Sequence, residues 1–130
     1  HEAKQAGAPA LSVWGSGTPL REFLHVDDLA DALVFLSRFY RGEMPLNVGS
    51  GREVSIRALA HIVCKAVGFT GKLVFDTSKP DGTPRKLADI SRLTAMGWCP
   101  RIGLEEGIAS TYGWYLRHDA GDRAADLPLP

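Results

Sequence analysis

The sequence predicts an α/β fold, because short strand-like runs alternate along the chain with amphipathic helices. Residues 11–14 and 73–75 have the apolar character of short strands. Residues 29–40 and 56–67 repeat apolar side chains at helical spacing. About four strands of a few residues each are fewer than an independent sheet usually contains. We therefore expect some strands to complete a sheet whose other members lie upstream of this chain.

The first half of the chain predicts a strand, a turn, a second extended segment and a long helix. Residues 1–7 are typical of the end of a helix, residues 11–14 of a strand and residues 15–19 of a glycine-proline turn. Residues 21–26 are predicted to be extended, and either Asp27 or Asp28 to cap the helix that follows. That helix should end before Gly42 and carry an apolar stripe formed by Leu29, Ala32, Leu33, Leu36, Phe39 and Tyr40.

The second half predicts two further strands and three helices. Residues 45–49 are predicted to form a short buried strand that ends in a glycine turn. Ser55 is expected to cap an amphipathic helix, and Gly68 to end it in the left-handed conformation. A strand at residues 73–75, a short helix at about residues 90–96 and a last helix from near Leu104 to about Arg117 follow. We predict one folded part, residues 1–118, and a disordered tail at residues 119–130.

Composition limits the function without deciding it. A chain of 130 residues with 45% hydrophobic content can bury one modest core and is too short for two ordinary domains. The 15 basic and 15 acidic residues balance, so no overall field attracts nucleic acid or an anionic membrane. The apolar runs are too short to cross a bilayer, and no signal-peptide pattern opens the chain. We expect a cytoplasmic protein without a nucleic-acid or membrane partner, and His1 in place of Met predicts that this sequence begins inside a longer one.

The most informative segment is residues 78–86, Ser-Lys-Pro-Asp-Gly-Thr-Pro-Arg-Lys, which we call the basic loop. It combines three cations with two prolines and a glycine, and it looks too broken for regular structure. A stiff basic loop suits a diphosphate, because charge-assisted hydrogen bonds contribute roughly 1.5–3 kcal/mol each. A solvated turn that is basic without function explains the composition equally well.

Several catalytic and cofactor motifs are missing. The glycine pairs at positions 15/17 and 49/51 lack the third glycine of a dinucleotide-binding fingerprint, so ordinary turns explain them better. The sequence has no Walker loop and no Tyr-x-x-x-Lys pair, and its histidines lack metal-ligand spacing. His25 is more typical of a partly buried structural imidazole than of a catalyst. We therefore expect no metal, no bound cofactor and no catalytic residue in this chain.

Three residues remain as binding candidates, two outside the basic loop and one inside it. Trp14 ends a strand before a glycine turn, where its ring could stack on a base or cover the core. Arg21 could bind phosphate oxygens in a fork, or pair with Asp27 or Asp28. Asp81 could accept hydrogen bonds from sugar hydroxyls, or shape the turn around its neighbouring glycine.

Several blocks resemble the GDP-L-fucose synthase family of the extended short-chain dehydrogenase/reductases. The Arg-Glu-Phe-Leu-His-Val-Asp-Asp block is shared widely by extended reductases, epimerases and dehydratases, and it indicates only the superfamily. The Trp-Gly-Ser-Gly-Thr-Pro and Lys-Pro-Asp-Gly-Thr-Pro-Arg-Lys blocks are much narrower. The resemblance covers nearly everything up to about Leu116 and is carried by residues 13–19, 21–30, 47–51, 75–87, 109–112 and by Asp89, Arg92, Leu93, Gly97 and Trp98.

The resemblance implies a carboxy-terminal, substrate-binding lobe together with the last strand and helix of a Rossmann sheet. It also implies an enzyme that uses NADPH for 3,5-epimerisation and 4-reduction of GDP-4-keto-6-deoxy-D-mannose to GDP-L-fucose. The family's glycine fingerprint, Ser-Tyr-Lys triad and Cys/His acid–base pair fall outside this chain. NADPH is therefore expected to bind upstream, and the chain by itself to be inactive.

The resemblance also assigns candidate residues. By position, Trp14, Arg21 and Lys86 match residues that contact the GDP part of the substrate in that family, and Asp81 and Arg85 are further candidates in the same loop. The whole enzyme is expected to be a homodimer. Two alternatives stay open: another nucleotide-sugar epimerase or dehydratase of the superfamily, and a non-catalytic binding module.

Overall fold

A computed structural model describes residues 1–118, and the predicted disordered tail at residues 119–130 lies outside the described residues. The predicted mixed α/β class is confirmed. The elements in chain order are α1 (Glu2–Gln5), β1 (Ala10–Trp14), β2 (Leu20–Glu22), α2 (Val26–Phe39), β3 (Glu53–Ser55), α3 (Ile56–Val67), β4 (Lys72–Asp76), β5 (Arg85–Lys86), α4 (Ser91–Ala95) and α5 (Leu104–His118).

The strands form two small sheets. In the first, β1 and β4 run parallel, with Ala10 opposite Lys72 at one end and Trp14 opposite Asp76 at the other. In the second, β2 lies in the centre, antiparallel to β3 and parallel to β5. Because β1 and β4 end side by side, the turn that follows Trp14 and the basic loop that follows β4 leave the same edge of the first sheet.

Helix α3 follows the sequence prediction closely. The Ser55 hydroxyl accepts a hydrogen bond from the Ala58 amide at 3.1 Å, which satisfies one of the amides that a helix start leaves unpaired. Gly68 ends the helix with φ of 72°, a left-handed conformation that glycine adopts without steric cost. Both predicted end signals of this helix are confirmed.

The Ser55 cap gives a first testable prediction. Replacing Ser55 by alanine should lower the free energy of unfolding by about 1 kcal/mol, the usual contribution of such a cap. Ser37→Ala is the matched control, because the Ser37 hydroxyl is exposed and bonds only to the Val34 carbonyl within its own helix. Urea denaturation of both variants compares them, and equal losses would argue against a capping role for Ser55.

Helix α2 begins differently from the prediction, since neither Asp27 nor Asp28 caps it. His25 is the capping residue: its Nδ1 accepts from the Asp27 amide at 3.2 Å. With Nδ1 accepting, Nε2 carries the proton and donates to the Ser110 hydroxyl at 3.1 Å. The imidazole is 11% exposed. The predicted structural role of His25 is confirmed, and its partner on α5 explains why the ring is partly buried.

Asp28 has another role. Its side chain lies among the buried residues, and its carboxylate accepts from the amides of Arg101, at 3.1 and 3.2 Å, and Ile102, at 2.9 Å. These bonds join the first turn of α2 to the segment that precedes α5. A buried carboxylate needs such donors, because an unpaired charge away from water is very costly.

The core is small and centres on Ala32, Leu93 and Trp98. The Trp98 indole donates to the Asp31 carboxylate at 2.9 Å. The buried face of α2 differs from the predicted apolar stripe. Two residues of that stripe, Leu33 and Phe39, are 58% and 64% exposed. The inward face carries Asp28 and Ala32, and the partly buried side chains packed against the core are Leu24, Phe35, Leu36 and Val48.

Two predictions about strands are wrong. Residues 45–49 form no strand; the Asn47 side-chain amide instead donates to the Asp89 carbonyl at 3.1 Å, and Val48 packs on the core. The strand of this region is β3, which lies next to β2. The prediction that the basic loop is irregular is also wrong at its end, because its last two residues form β5. The residue before β5, Pro84, accepts a hydrogen bond from the Leu20 amide at 2.9 Å through its carbonyl.

Within residues 1–118, the helices are all too short or too polar to span a bilayer.

Candidate functional site

Three segments meet where the two sheets approach each other: the turn at residues 15–19, strand β2 and the basic loop. Their meeting follows from the strand pairing, since the turn connects β1 to β2 and the loop connects β4 to β5. The structure thus brings the sequence-predicted candidates onto neighbouring segments, although they are up to 72 residues apart in the chain, as Trp14 and Lys86 are.

The basic loop is held at both ends. At its start, the Ser78 amide and hydroxyl donate to the Asp76 carboxylate at 3.0 and 2.6 Å. At its end, the bond from the Leu20 amide to the Pro84 carbonyl leads into β5. Two prolines inside the loop further restrict its backbone. The loop is therefore partly ordered before any ligand binds, which lowers the entropy cost of binding.

Arg21 and Lys86 lie directly opposite each other on the parallel strands β2 and β5. Side chains at paired positions project from the same face of a sheet. The Arg21 guanidinium donates to the Leu20 carbonyl at 2.6 Å, and within residues 1–118 the Lys86 ammonium has no hydrogen-bond or ion-pair partner. Two cations placed opposite each other repel, so this arrangement would be stabilised by an anion.

The alternative pairing of Arg21 with Asp27 or Asp28 is wrong. Asp28 faces the amides that precede α5, and the Asp27 carboxylate lies 3.7 Å from the His25 ring nitrogen. The remaining Arg21 donors are therefore available for an anion, and a guanidinium can bind two oxygens of one group at once.

Trp14 stands at the end of β1 with 74% of its surface exposed. Its indole does not cover the core, so the alternative that the sequence left open is wrong for the described residues. The Lys79 ammonium lies 5.5 Å from the centroid of the ring, within the range of a cation–π interaction. An exposed, rigid aromatic ring beside a basic loop can stack on the base of a nucleotide.

Arg85 is partly neutralised by an acidic neighbour. Its Nε donates to the Glu53 carboxylate at 2.7 Å, and this hydrogen bond, with the charge attraction, raises the pKa of Arg85. Arg85 also lines an open groove of about 890 Å³ together with Leu87, Ile90 and Thr94. The unpaired Lys86 is therefore the stronger phosphate-binding candidate of the two.

Asp81 is exposed and also contacts the turn at residues 15–19. The Ser16 hydroxyl and amide donate to its two carboxylate oxygens at 2.6 and 2.8 Å, and these bonds lower the pKa of Asp81. A carboxyl whose pKa is lower in the folded state stabilises that state above its unfolded pKa. The contribution disappears as the pH falls through the lowered value. The contact is therefore intact at neutral pH.

Glu22 and Arg57 shape the site and were missed by sequence reasoning. The Glu22 carboxylate accepts from the Gly51 amide at 2.6 Å and the Ala88 amide at 2.9 Å, which links β2 to the segments on either side. The Arg57 guanidinium donates to the Ser16 carbonyl at 2.6 Å and lies 3.8 Å from the centroid of the Phe75 ring. The sequence shows only that an acidic residue, Glu22, follows Arg21. The partners of Glu22 and of Arg57 are distant in the sequence, so no local pattern predicts these contacts.

The first glycine turn does not fit the pyrophosphate of a dinucleotide cofactor. Two of its amides are already used, because Gly15 donates to the Asp76 carbonyl at 2.9 Å and Ser16 donates to Asp81. That turn leads into β2 and not into a helix, so it offers no helix N-terminus to a pyrophosphate. In residues 1–118, no three His, Cys, Asp or Glu side chains gather as metal ligands would.

Comparison with known proteins agrees with the motifs. The sequence model of the NAD dependent epimerase/dehydratase family matches residues 1–49, which include Trp14 and Arg21. The chain is 58% identical to GDP-L-fucose synthase 1 of Arabidopsis thaliana over 118 residues, 91% of this chain and 36% of that protein. It is 50% identical to GDP-L-fucose synthase of Escherichia coli (strain K12) over 127 residues, 91% of this chain and 40% of that protein.

This chain is similar in sequence to about a third of the length of GDP-L-fucose synthases. The fold agrees with this similarity: the crystal structure of a GDP-L-fucose synthetase from Naegleria fowleri bound to NADP superposes with a TM-score of 0.85 at 33% identity. The superposition covers 95% of this chain and 39% of that one. The chain thus spans well under half of the length of these GDP-L-fucose synthases, and its predicted extended-reductase fold is confirmed over that part.

Proposed function

We propose that this chain is the nucleotide-sugar-binding part of a GDP-L-fucose synthase, and that Trp14, Arg21, Asp81, Arg85 and Lys86 form its site for the GDP moiety. The observation that carries the proposal is the cross-strand pair of Arg21 and Lys86. These two cations have unsatisfied donors. Lys86 ends the basic loop, which is partly ordered without a ligand, and Arg21 lies opposite it on β2.

The three strongest candidates divide the ligand between them. Arg21 and Lys86 neutralise the diphosphate, the arginine as a fork and the lysine as a compact point charge. Trp14 stacks on the base, which contributes roughly 1–3 kcal/mol for one base and one aromatic ring. Lys79, whose ammonium lies 5.5 Å from the centroid of the same ring, adds a further cation to the site.

The chemistry takes place on residues outside this chain. In our proposal the complete enzyme uses NADPH for the 3,5-epimerisation and 4-reduction of GDP-4-keto-6-deoxy-D-mannose, and the described segment holds the unreactive end of the substrate. Binding energy from that end helps to position the sugar for reaction. We place the complete enzyme in the cytoplasm as a homodimer.

Exposed apolar side chains support the proposal that this chain is part of a larger enzyme. Parallel strands are usually covered on both faces, yet Leu11 on β1 and Val74 on β4 are 40% and 50% exposed. On α2, Leu33 and Phe39 are exposed as well. These side chains fit surfaces that pack against the remainder of a Rossmann domain.

Product analysis tests the proposed function. A longer polypeptide that includes this chain, here called the intact protein, is expected to oxidise NADPH in the presence of GDP-4-keto-6-deoxy-D-mannose and to release GDP-L-fucose. The 130-residue chain alone is expected to bind no NADPH and to turn over no substrate. Turnover confined to a different nucleotide sugar would favour the alternative epimerase or dehydratase, and GDP binding without any turnover would favour a binding module.

A further inference from the structure

Strand β5 is only two residues long, so few ladder hydrogen bonds hold it beside β2. Before the strand, the Pro84 carbonyl accepts from the Leu20 amide at 2.9 Å. After it, the Ala88 amide donates to the Glu22 carboxylate at 2.9 Å. Lys86 lies between these two bonds, two residues before Ala88. The bond to Glu22 is therefore an attachment on the downstream side of Lys86.

The Glu22 carboxylate holds segments on both sides of β2. Its Oε2 accepts from Ala88, whereas its Oε1 accepts from the Gly51 amide at 2.6 Å and from the Ser50 hydroxyl at 3.4 Å. Gly49 leaves room for this carboxylate, because a Cβ at that position would lie 2.5 Å from Oε1. The two oxygens are thus divided between the segment after β5 and the turn before β3.

The position of Glu22 would be unfavourable without these donors. Glu22 lies opposite Glu53 on β3, and like charges that face each other across two strands destabilise a sheet. Glu53 is compensated by Arg85, whose Nε donates to it at 2.7 Å. Within residues 1–118, Glu22 forms no ion pair, so its charge is stabilised by the backbone amides that it holds.

We propose that Glu22 is a positioning residue: by holding the Ala88 amide, it fixes strand β5, which carries Lys86. The proposal rests on the proposed function, because the cation pair that Glu22 positions is that of the GDP site. Adjacent residues of a strand point to opposite faces of its sheet, so Glu22 lies on the face away from Arg21 and Lys86. Glu22 therefore supports the site from behind and does not contact the ligand.

Strand β5 has one further side-chain attachment, the ion pair of Arg85 with Glu53. The Arg85 side chain is 64% exposed, and exposed ion pairs contribute little to stability. Glu22 instead binds a backbone amide, which needs no second long side chain to be ordered. Loss of the Glu22 carboxylate should therefore release the segment after β5.

Hydrogen exchange without ligand tests the attachment itself. In the intact protein, Glu22→Ala should speed exchange of the Ala88 amide about tenfold, and Gly49→Ala should do the same by displacing the carboxylate. Glu105→Ala is the matched control, because its carboxylate also accepts a hydrogen bond, but between α5 and α3. All three variants should leave exchange in α2 unchanged. Unchanged exchange of the Ala88 amide in Glu22→Ala would overturn the proposal, whether or not the protein binds GDP.

GDP affinity then tests the positioning role. Glu22→Ala should raise the Kd for GDP about tenfold in the wild-type background and leave it nearly unchanged in the Lys86→Ala background, since its effect passes through Lys86. A role in stability alone would lower Tm in both backgrounds without this difference in Kd. An unchanged Kd in Glu22→Ala, or equal increases in both backgrounds, would overturn the proposal. Failure of the wild-type protein to bind GDP would instead refute the proposed function, while the exchange measurement still decides the attachment.

Discussion

Asp28→Ala is expected to destabilise the fold by about 2–4 kcal/mol, the largest effect of any single change considered for this chain. Asp28 is 3% exposed, and its carboxylate accepts from the amides of Arg101 and Ile102. Removing it leaves two amides without an acceptor, and each buried unpaired donor costs about 1–3 kcal/mol. The segment that precedes α5 would also lose its attachment to α2.

Chemical denaturation of the intact protein measures this loss, and Asp27→Ala is the control. The two aspartates are neighbours in the first turn of α2, but the Asp27 side chain is 78% exposed. Its removal should cost less than about 1 kcal/mol, the contribution of an exposed acid near a helix start. Equal losses for the two variants would show that the buried hydrogen bonds of Asp28 do not carry the effect.

Lys86→Ala is expected to weaken GDP binding by roughly 2 kcal/mol, or about 30-fold, which corresponds to one charge-assisted contact. Lys86 is exposed, has no partner in the described part of the chain, and lies opposite Arg21. Its whole interaction is therefore available to the diphosphate. Because the site is open to solvent, salt should screen the interaction and weaken binding to the wild-type protein more than to the variant.

Lys72→Ala is the matched control for this prediction. Lys72 is also an exposed lysine on a strand, but it begins β4, whereas the basic loop follows the other end of that strand. Its removal should leave the Kd for GDP unchanged. An equal effect of the two substitutions would indicate general electrostatic attraction in place of a specific phosphate contact.

Short-range signals predicted much of the fold. The cap at Ser55 and the left-handed Gly68 depend on neighbouring residues alone, so the sequence shows them directly. Strands β1 and β4 were found from their apolar runs. Helix α2 was found as an element, but its buried face was not, because the inward orientation depends on Asp28 reaching amides 73 and 74 residues away.

The remaining errors have the same physical origin. Residues 45–49 have the composition of a buried strand, but both edges of β2 are taken, one by β3 and the other by β5. At the candidate site, the cations were visible in the sequence because a basic loop is a local pattern. Glu22 was not, since its acceptor role depends on amides at Gly51 and Ala88 that only the folded chain brings close.

Calorimetric titration of GDP into the intact protein tests whether this segment holds the nucleotide through its exposed indole and its cross-strand cations. We expect a saturable heat with the wild-type protein. We also expect the loss of that heat in the variant that combines Trp14→Ala, Arg21→Ala and Lys86→Ala, with an unchanged Tm. No heat with the wild-type protein, or the same heat with the triple variant, would contradict this mode of binding.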